Sequence, residues 1–534
     1  MRKRRAFLIC VLSIIGLAVL WLGESGPVWL QTFAGSEPFG LELVENVGAW
    51  AEKGIREAES GPGILFEEVP LPYDEENNTF ILPQSIHTGD WTGELSAADD
   101  GYSLYGERDA YWQRKQDAIR EGHAFSLWLV NGESYIEYKL VVSGMPVISI
   151  DTESKGQIQD TDERGVVRIF NPDVGSDRYE IHQSYMTCRI KGGTSRALEK
   201  KGYALKLYDY QWKKADIPLL GMRSDNNWKL NALYTDDTRI REKTAAQIWQ
   251  AFSAADKDLR QDGPRLEYAE LIINEEYLGI YCLVEPVDAE KLNLDKNDIL
   301  YKVVGWKMPT ENDFTVAVAN SASTAAAIRI NHPDVISDYA AVWHPMQDYN
   351  ERFYLNPDLD YEEALATVNT ANLSDVFMFL MVTSASDNHY KNMYFAAEVA
   401  RDGEYVMKQI PWDLDYTFGN VFYGESPNLV RFLEDYSCIY ADSTLPRLKF
   451  ANPEEIGTAF LARWHQHRES FLKTEEILRL LKENQRYLAE TGAVVRENQR
   501  WQEFPVNMDI SGLLQYQEER MRWLDAYFTE WADY

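Results

Sequence analysis

The stretch SASDNHYKNMYFA, residues 384–396, places an aspartate five positions before an asparagine. An apolar run precedes this stretch, and a strand-like pattern follows it. A second acidic segment, PWDLDYTFG at 411–419, stands at the end of a further apolar strand. Short polar residues are common in turns, where their side chains bond their own backbone. The alternative is that the two segments form the halves of one site for a metal ion and phosphate.

The spacing within the two segments is typical of phosphoryl transfer. This chemistry needs divalent cations, cationic groups on the phosphates and a group that orients the nucleophile. Protein kinases place an Asp five positions before a metal-binding Asn, and a second metal-binding Asp farther along the chain. Asp387 and Asn392 have that spacing, and Asp413 stands where the second metal ligand is expected. Asp415 is either a further metal ligand or a residue that orients the backbone beside Asp413.

Cationic residues that suit phosphate occur earlier in the chain. The loop KGGTSRALEKK, residues 191–201, combines glycines that let the backbone approach a phosphate with Lys and Arg. Lys206 on the outgoing strand is one candidate for a phosphate-binding lysine, and Lys229 competes with it. Arg241 or Glu242 on the following helix is a candidate partner for such a lysine. An exposed hairpin loop would have the same composition.

Composition limits the class of protein. A chain of 534 residues is expected to form two or more domains. Its formal net charge of −32 argues against nucleic acid as a partner. The four cysteines include no CxxC pair and no metal-ligand spacing, so a disulfide framework is not expected.

The N-terminus combines the cationic start MRKRR with AFLICVLSIIGLAVLWLG, which runs for 18 residues without a charge. A helix of that length nearly spans a bilayer core of ~30 Å. The pattern predicts an uncleaved, single-pass signal anchor over residues 1–23, with its N-terminus in the cytoplasm and the remainder outside. A cleaved signal peptide is the alternative.

The remaining patterns are those of a mixed chain. Residues 24–100, rich in Gly and Pro, are expected to have little regular structure. A hairpin is predicted with Asn131-Gly132 at its turn, and a second hairpin turns at 274–276. Ser374 is the expected N-cap of an apolar helix that leads into the opening stretch. Two amphipathic helices are predicted at the C-terminus.

At these residues the chain resembles the spore-coat CotH kinase family. The resemblance covers roughly residues 145–470, and the pieces occur in the family's order: RIKGGTSR…KKGYALKLYD, WKLNALYTDDTRIREKTAAQIW, AELIINEEYLGIYCLVEPVD, SASDNHYKNMYF and IPWDLDYTFG. It implies an α+β, atypical protein-kinase-like two-lobed fold, with a nucleotide between a β-rich lobe and a helical lobe. It also implies Mg²⁺- or Mn²⁺-dependent phosphorylation of Ser or Thr in secreted or coat proteins.

The resemblance also implies roles for individual residues. Asp387 would act as the catalytic base or orient the nucleophile. The metal ligands would be Asn392 and Asp413. Arg196 and Lys206 would contact phosphate, and Glu285 would lie near the nucleotide or in the region between the lobes. The family loop usually reads R-G-N-S-S-R, whereas this chain has Lys191-Gly192-Gly193-Thr194-Ser195-Arg196, a change that predicts weaker phosphate contact.

These observations lead to one leading prediction and two alternatives. The leading prediction is a membrane-tethered, extracytoplasmic kinase that uses ATP with Mg²⁺ or Mn²⁺ on a protein of the envelope or spore coat. The predicted parts are an anchor at 1–23, a juxtamembrane and small β-containing accessory segment at 24–144, a CotH-like kinase domain at 145–470 and a helical extension at 471–534. The first alternative is a non-catalytic assembly protein on the same fold. The second is a calcium-binding adhesion or carbohydrate-linked module, which leaves the Asp–Asn spacing unexplained.

Overall fold

The computed structural model describes residues 17–20, 28–31, 38–173, 179–305, 310, 313–315, 321–324, 328–356, 358–388, 391–421 and 444–533. Within these ranges the chain has a mixed α+β fold. Buried apolar side chains form three large clusters: one in an N-terminal sheet module, one inside a β-barrel and one that joins the barrel to the helices.

The predicted membrane anchor is contradicted. Strand β1 (Leu17–Leu20) lies inside the predicted anchor and pairs antiparallel with β2 (Val28–Gln31). No helix among the described residues is both long and apolar enough to cross a bilayer. The rest of the predicted anchor, 1–16 and 21–23, lies outside the described residues. An apolar run rich in Val, Ile and Leu suits a buried strand as well as a helix, so hydropathy alone does not distinguish them. The predicted single-pass membrane location is therefore wrong.

The N-terminal module contains far more strand than its Gly- and Pro-rich sequence predicts. Its strands are β3 (Glu42–Val44), β4 (Arg56–Glu57), β5 (Ile64–Phe66), β6 (Val69–Pro70), β7 (Tyr73–Asp74), β8 (Thr79–Pro83), β9 (Leu95–Ala97), β10 (Ser103–Glu107), β11 (Ala124–Val130) and β12 (Ser134–Ser143). Its helices are α1 (Gly48–Glu52) and α2 (Lys115–Glu121). The main sheet has the order β3-β10-β11-β12-β8-β7, and β4 also pairs with β12. The predicted hairpin at Asn131 is confirmed, and Oδ1 of Asn131 accepts the N–H groups of Glu133 and Ser134.

A closed seven-stranded barrel follows. In chain order its strands are β13 (Val147–Thr152), β14 (Glu163–Asn171), β15 (Glu180–Lys191), β16 (Gly202–Tyr208), β19 (Asn227–Asn231), β20 (Leu266–Ile273) and β21 (Glu276–Val284), while β17 (Ile217–Pro218) and β18 (Ser224–Asp225) form a separate pair. Side chains alternate along each strand. In β21, Tyr281 and Leu283 fill the barrel, whereas Ile280 and Cys282 pack outward against the helices. The outer face of the barrel at β21 thus packs against the helical region.

The second part of the fold is a four-stranded sheet with helices. The sheet has the order β23-β22-β24-β25, formed by β22 (Ile299–Val303), β23 (Ile328–His332), β24 (Met393–Val399) and β25 (Tyr405–Pro411). The helices are α3 (Arg241–Ala255), α4 (Tyr339–Asn350), α5 (Tyr361–Ala366), α6 (Thr370–Thr383), α7 (Thr444–Ala451), α8 (Pro453–Arg468), α9 (Thr474–Glu490), α10 (Ala493–Arg500) and α11 (Ser511–Asp533).

Helix α6 delivers the chain to the opening stretch. Its N-cap is Asn369, whose side chain accepts the N–H of Asn372, so the prediction of Ser374 as the cap is wrong. Ser374 lies inside the helix, where its hydroxyl donates to the carbonyl of Thr370. Both residues are good caps by type. The apolar positions on which the prediction rests all follow Ser374, so the pattern places the start of the helix too late.

The C-terminal helices are bonded to the barrel. Glu497 of α10 is fully buried and accepts hydrogen bonds from Lys200 at 2.7 Å and Arg239 at 3.1 Å. Its neighbour Arg496 forms a two-bond pair with Glu270 of β20, at 2.7 Å for each bond. Breaking a buried pair leaves an uncompensated charge, which is strongly destabilising. The predicted amphipathic helices are confirmed as α9 and α11.

Candidate active site

The two acidic segments meet at one end of the four-stranded sheet. Met393 pairs with Pro411 in the register of β24 and β25, so the residue before β24 lies beside the residue after β25. There the N–H of Trp412 donates to the carbonyl of Asn392 at 3.0 Å. The N–H of Asn392 donates to the carbonyl of Val303, the last residue of β22, at 3.1 Å. Pairing of the strands therefore brings together residues that are far apart in the sequence.

Asn388 fastens the two segments to each other. Its side-chain amide is fully buried and donates to the carbonyls of Asn392 and Trp412, at 3.0 and 2.8 Å. Asn392 and Asp413 both have left-handed backbones, with φ of 58° and 60°. This conformation costs free energy for a residue with a Cβ, and Asn and Asp tolerate it best. The Asn388 bridge holds both turns in place.

The two oxygens of the Asp387 carboxylate differ: among the described residues, one accepts two hydrogen bonds and the other accepts none. Oδ2 accepts from Lys391 Nζ at 2.6 Å and from Asn392 Nδ2 at 2.7 Å. Oδ1 is buried and has no hydrogen-bond partner among the described residues. Burial raises the pKa of Asp387 and Asp413 adds to the effect, although Lys391 and Asn392 act in the opposite direction. An unpaired buried oxygen is costly unless a ligand or substrate completes it.

Asp413 and Asp415 complete a concentrated group of acids. In the part of the chain that the structure describes, no hydrogen bond reaches the side chain of Asp413, whereas Asp415 accepts one from Thr235 at 3.0 Å. Burial raises the pKa of Asp415 well above its usual range, and the charge of Asp413 raises it further. Carboxylates that repel one another in a poorly solvated site favour the arrival of a cation.

These residues fit a divalent cation that is shared with a phosphate ligand. Among the described residues, no group of three or more His, Cys, Asp or Glu side chains is arranged to hold a metal ion by itself. Mg²⁺ does not need such a cage, because it usually takes one or two carboxylates and completes its shell with water and phosphate oxygens. Asp413 supplies unengaged carboxylate oxygens, and Asn392 supplies an amide oxygen that no described hydrogen bond uses.

Lys229, rather than Lys206, lies beside the acids. Burial and the nearby Lys191 lower the pKa of Lys229 to about 8, while Asp413 acts to raise it. Lys206 is half-exposed and faces Asp162 at 3.6 Å. The structure therefore brings Lys229, but not Lys206, to the acidic cluster.

The predicted residue Arg196 also lies outside the cluster. It belongs to the short 3-10 helix Thr194–Ala197 in the glycine loop, is exposed, and has Asp160 as its nearest ion-pair partner at 3.8 Å. Glu285 is buried in a different ion-pair group, 2.9 Å from both Arg223 and Lys291. It follows Val284, which pairs in register with Lys229.

An asparagine links the helix glutamate to the glycine loop. Nδ2 of Asn231 donates to Glu242, and Oδ1 of Asn231 accepts from Lys191. Burial raises the pKa of Glu242 to about 7, with Asp413 as the second cause. Arg241 is engaged elsewhere, in ion pairs with Asp236 and Asp237. Of the two predicted helix partners, only Glu242 therefore points toward the lysines.

Five residues of this site were not among the predicted functional residues: Asn231, Lys302, Asn388, Lys391 and Trp412. Lys302 of β22 lies 3.6 Å from the ring centroid of Trp412. Its neighbours Tyr301 and Val303 are buried. In the sequence, a lysine between two apolar residues is the ordinary pattern of a strand and does not indicate a site. Asn388 carries a turn signal, but its type does not distinguish a turn residue from a bridge between two loops.

Comparison with known proteins adds a family to this geometry. No curated protein matches the chain. A family model described as CotH kinase protein matches residues 188–524, which is more than half of the chain and includes both acidic segments, the glycine loop and Glu242. The resemblance in sequence is thereby confirmed, and the chain belongs to the CotH kinase family.

Proposed function

We propose that this protein is an atypical protein kinase that transfers the γ-phosphoryl group of ATP to Ser or Thr of a protein substrate. In this proposal the barrel is the core of a β-rich lobe, and the four-stranded sheet with its helices is the second lobe. Membership of the CotH kinase family supports the reaction class. Proteins of the spore coat or envelope are the substrates that we propose.

The observation that carries the proposal is the difference between the two oxygens of the Asp387 carboxylate. Lys391 and Asn392 occupy Oδ2, so Oδ1 is left as the oxygen that can accept a proton. In the proposed reaction the substrate hydroxyl donates a hydrogen bond to Oδ1. As the hydroxyl oxygen forms its bond to the γ-phosphorus, its proton passes to Oδ1 and the bond to the β-phosphate oxygen breaks, which releases ADP.

The remaining residues of the site have supporting roles in this proposal. Asn392 and Asp413, with Asp415, would hold Mg²⁺ or Mn²⁺, which neutralises charge on the phosphates. Lys229 would contact a phosphate oxygen. The hydrogen bonds of Asn231 with Glu242 and Lys191 would hold α3 and the glycine loop in position near that lysine.

The predicted nucleotide residues outside the cluster have a weaker claim. Arg196 and Lys206 face Asp160 and Asp162 on the surface of the barrel. Glu285 is neutralised by its two cationic neighbours. We therefore choose Lys229 as the phosphate-binding lysine and propose no direct phosphate contact for Glu285.

The test is incorporation of label from γ-labelled ATP into a Ser/Thr-rich acceptor by the full chain with Mn²⁺ or Mg²⁺. We expect incorporation that a chelator and Asp413→Ala both abolish. Asp402→Ala is the matched control, because Asp402 is exposed in the turn between β24 and β25. Absence of incorporation with metal-dependent ATP binding retained would support the non-catalytic assembly protein instead. Absence of ATP binding would contradict the nucleotide site.

A further inference from the structure

One aromatic ring lies beneath two lysine side chains. Nζ of Lys302 is 3.6 Å from the ring centroid of Trp412, and Nζ of Lys229 is 5.2 Å from it. The two lysines come from different sheets, since Lys229 is on β19 of the barrel and Lys302 is on β22 of the four-stranded sheet. Tyr394 also lies beneath Lys302, at 5.5 Å. The ring therefore marks the junction of the barrel with the second sheet.

In the part of the chain that the structure describes, neither ammonium group has a directly bonded acidic partner. Among the described residues, Lys229 and Lys302 form no hydrogen bond and no ion pair within 4.0 Å. Each ammonium has three N–H donors to satisfy. The charge of Asp413 favours the protonated form of both lysines, and Glu242 and Asp288 add to this effect on Lys229. Because no carboxylate lies within ion-pair distance of either lysine among the described residues, the N–H donors of both ammonium groups are available to a ligand.

The two lysines also destabilise each other. Burial is the main reason that the pKa of Lys302 lies well below its usual range, and the charge of Lys229 is the second reason. Attraction to the face of Trp412 offsets part of this cost, because an aromatic face is electron-rich. A structural role alone does not explain two adjacent cations whose donors have no partner among the described residues. A ligand with two or more neighbouring negative charges does.

We propose that Lys302 is a second phosphate-binding residue, and that Lys302 and Lys229 together bind the phosphate chain of the nucleotide above Trp412. The inference rests on the proposed function of the same site and adds a ligand-binding residue to it. A chain of linked phosphates presents one or more anionic oxygens on each phosphorus, which matches two ammonium groups held side by side. Asp413 beside them would hold the cation that the same phosphates share.

The experiment measures binding of inorganic tripolyphosphate to the full chain by titration calorimetry, so that no nucleoside contact contributes. Wild type is compared with Lys302→Met, Lys302→Arg and Lys213→Met, the last a control at an exposed position on the barrel surface. We expect Lys302→Met to weaken binding about 10-fold or more, because each bond to a charged group contributes strongly. Lys302→Arg should retain most of the affinity, and Lys213→Met should leave it unchanged.

Two results would overturn the inference. One is a wild-type chain that does not bind tripolyphosphate, and the other is a Lys302→Met variant that binds it as tightly as wild type. Loss of the unpaired ammonium should not lower the melting temperature, and Lys302→Gln provides a second, more polar variant if Lys302→Met does not fold.

Phosphoryl transfer is measured separately. If tripolyphosphate binding depends on Lys302 but no phosphoryl transfer occurs, the inference stands and the proposed kinase activity is contradicted. If phosphoryl transfer occurs but tripolyphosphate binding does not depend on Lys302, the kinase activity stands and the inference is contradicted.

Discussion

The side-chain amide of Asn392 donates a hydrogen bond of 2.7 Å to Oδ2 of Asp387. This contact gives the five-residue spacing in the sequence a physical meaning. Asn392 thus holds the carboxylate of Asp387, and Lys391 donates to the same oxygen. The other oxygen is thereby directed away from both donors and has no partner among the described residues.

The bridge formed by Asn388 gives the first prediction. Asn388→Ala removes two donated hydrogen bonds and leaves the carbonyls of Asn392 and Trp412 without them. We expect a loss of about 1–3 kcal/mol in the free energy of unfolding, because buried acceptors would lose their donor. ATP affinity in the presence of Mn²⁺ should fall as well, since the turns at Asn392 and Asp413, which we propose to bind the metal ion, would relax. Urea unfolding and a nucleotide titration measure the two effects.

The control for this variant is Asn369→Ala. Asn369 caps the far end of α6, and its loss should cost about 1 kcal/mol without affecting the site. An Asn388→Ala protein that is destabilised to the same degree as the control and binds ATP normally would show that Asn388 has no positioning role.

Metal dependence gives the second prediction. Ligands that bind only the folded state raise its stability, by about 2.7 kcal/mol at a concentration of about 100 times the dissociation constant. ATP with Mg²⁺ should therefore raise the melting temperature, and EDTA should reverse most of the increase. Asp413→Asn should remove the metal-dependent part, while Asp402→Asn should keep it. Equal increases with and without metal would contradict the shared cation site.

The pH dependence of ATP binding is the third prediction. Burial, with Lys191, lowers the pKa of Lys229 to about 8 in the free protein. Only the ammonium form attracts phosphate, and bound phosphate raises the pKa. Affinity should thus be complete below about pH 7 and weaken as the pH rises through about 8, by at most about tenfold per unit for this one proton. Lys229→Arg keeps its charge and should reduce the slope, so equal slopes would contradict the assignment.

The buried pair between Glu270 and Arg496 gives the fourth prediction. Burial acts to raise the pKa of Glu270, but Arg496 and the hydrogen bonds outweigh it, so the pKa lies below its ordinary value. Glu270→Gln should cost about 3–5 kcal/mol of stability at neutral pH, because Arg496 would keep an uncompensated charge. The contribution of the carboxylate is complete above about pH 4.5 and is lost as the pH falls further.

Denaturant unfolding at several pH values measures this contribution. Glu476→Gln is the matched control, because Glu476 pairs with Arg479 on the exposed face of α9 and should leave the midpoint unchanged. A Glu270→Gln midpoint equal to that of wild type would contradict a net stabilising contribution from the pair between Glu270 and Arg496.

Local signals in the sequence were sufficient for the elements whose pattern is local. Asn131-Gly132 marks a hairpin because the Asn side chain accepts the N–H groups that follow the turn. The spacing of Asp387 and Asn392 reflects a hydrogen bond within one loop. The N-terminal apolar run was misread, because length and hydropathy do not show whether Leu17–Leu20 pairs with another strand.

Residues that meet only through the tertiary fold were not predictable in this way. Lys302 reaches Trp412 because β22 pairs with β24, and no pattern around Lys302 indicates that pairing. Asn231 was missed for a similar reason, since its two partners lie on a loop and on a helix. The choice between Lys206 and Lys229 required the register of β16 and β19, which places Lys206 opposite Asn227 and toward Asp162.

The most direct test of the central claim is the rate of phosphoryl transfer by Asp387→Asn, measured in a single turnover beside its affinity for ATP. The variant keeps the shape of the side chain and removes the proton acceptor. We predict a transfer rate about 100- to 10,000-fold below wild type, with ATP affinity changed by less than about threefold, while Asp402→Asn behaves as wild type. Transfer by Asp387→Asn at the wild-type rate would contradict the assignment of Asp387 as the group that accepts the proton.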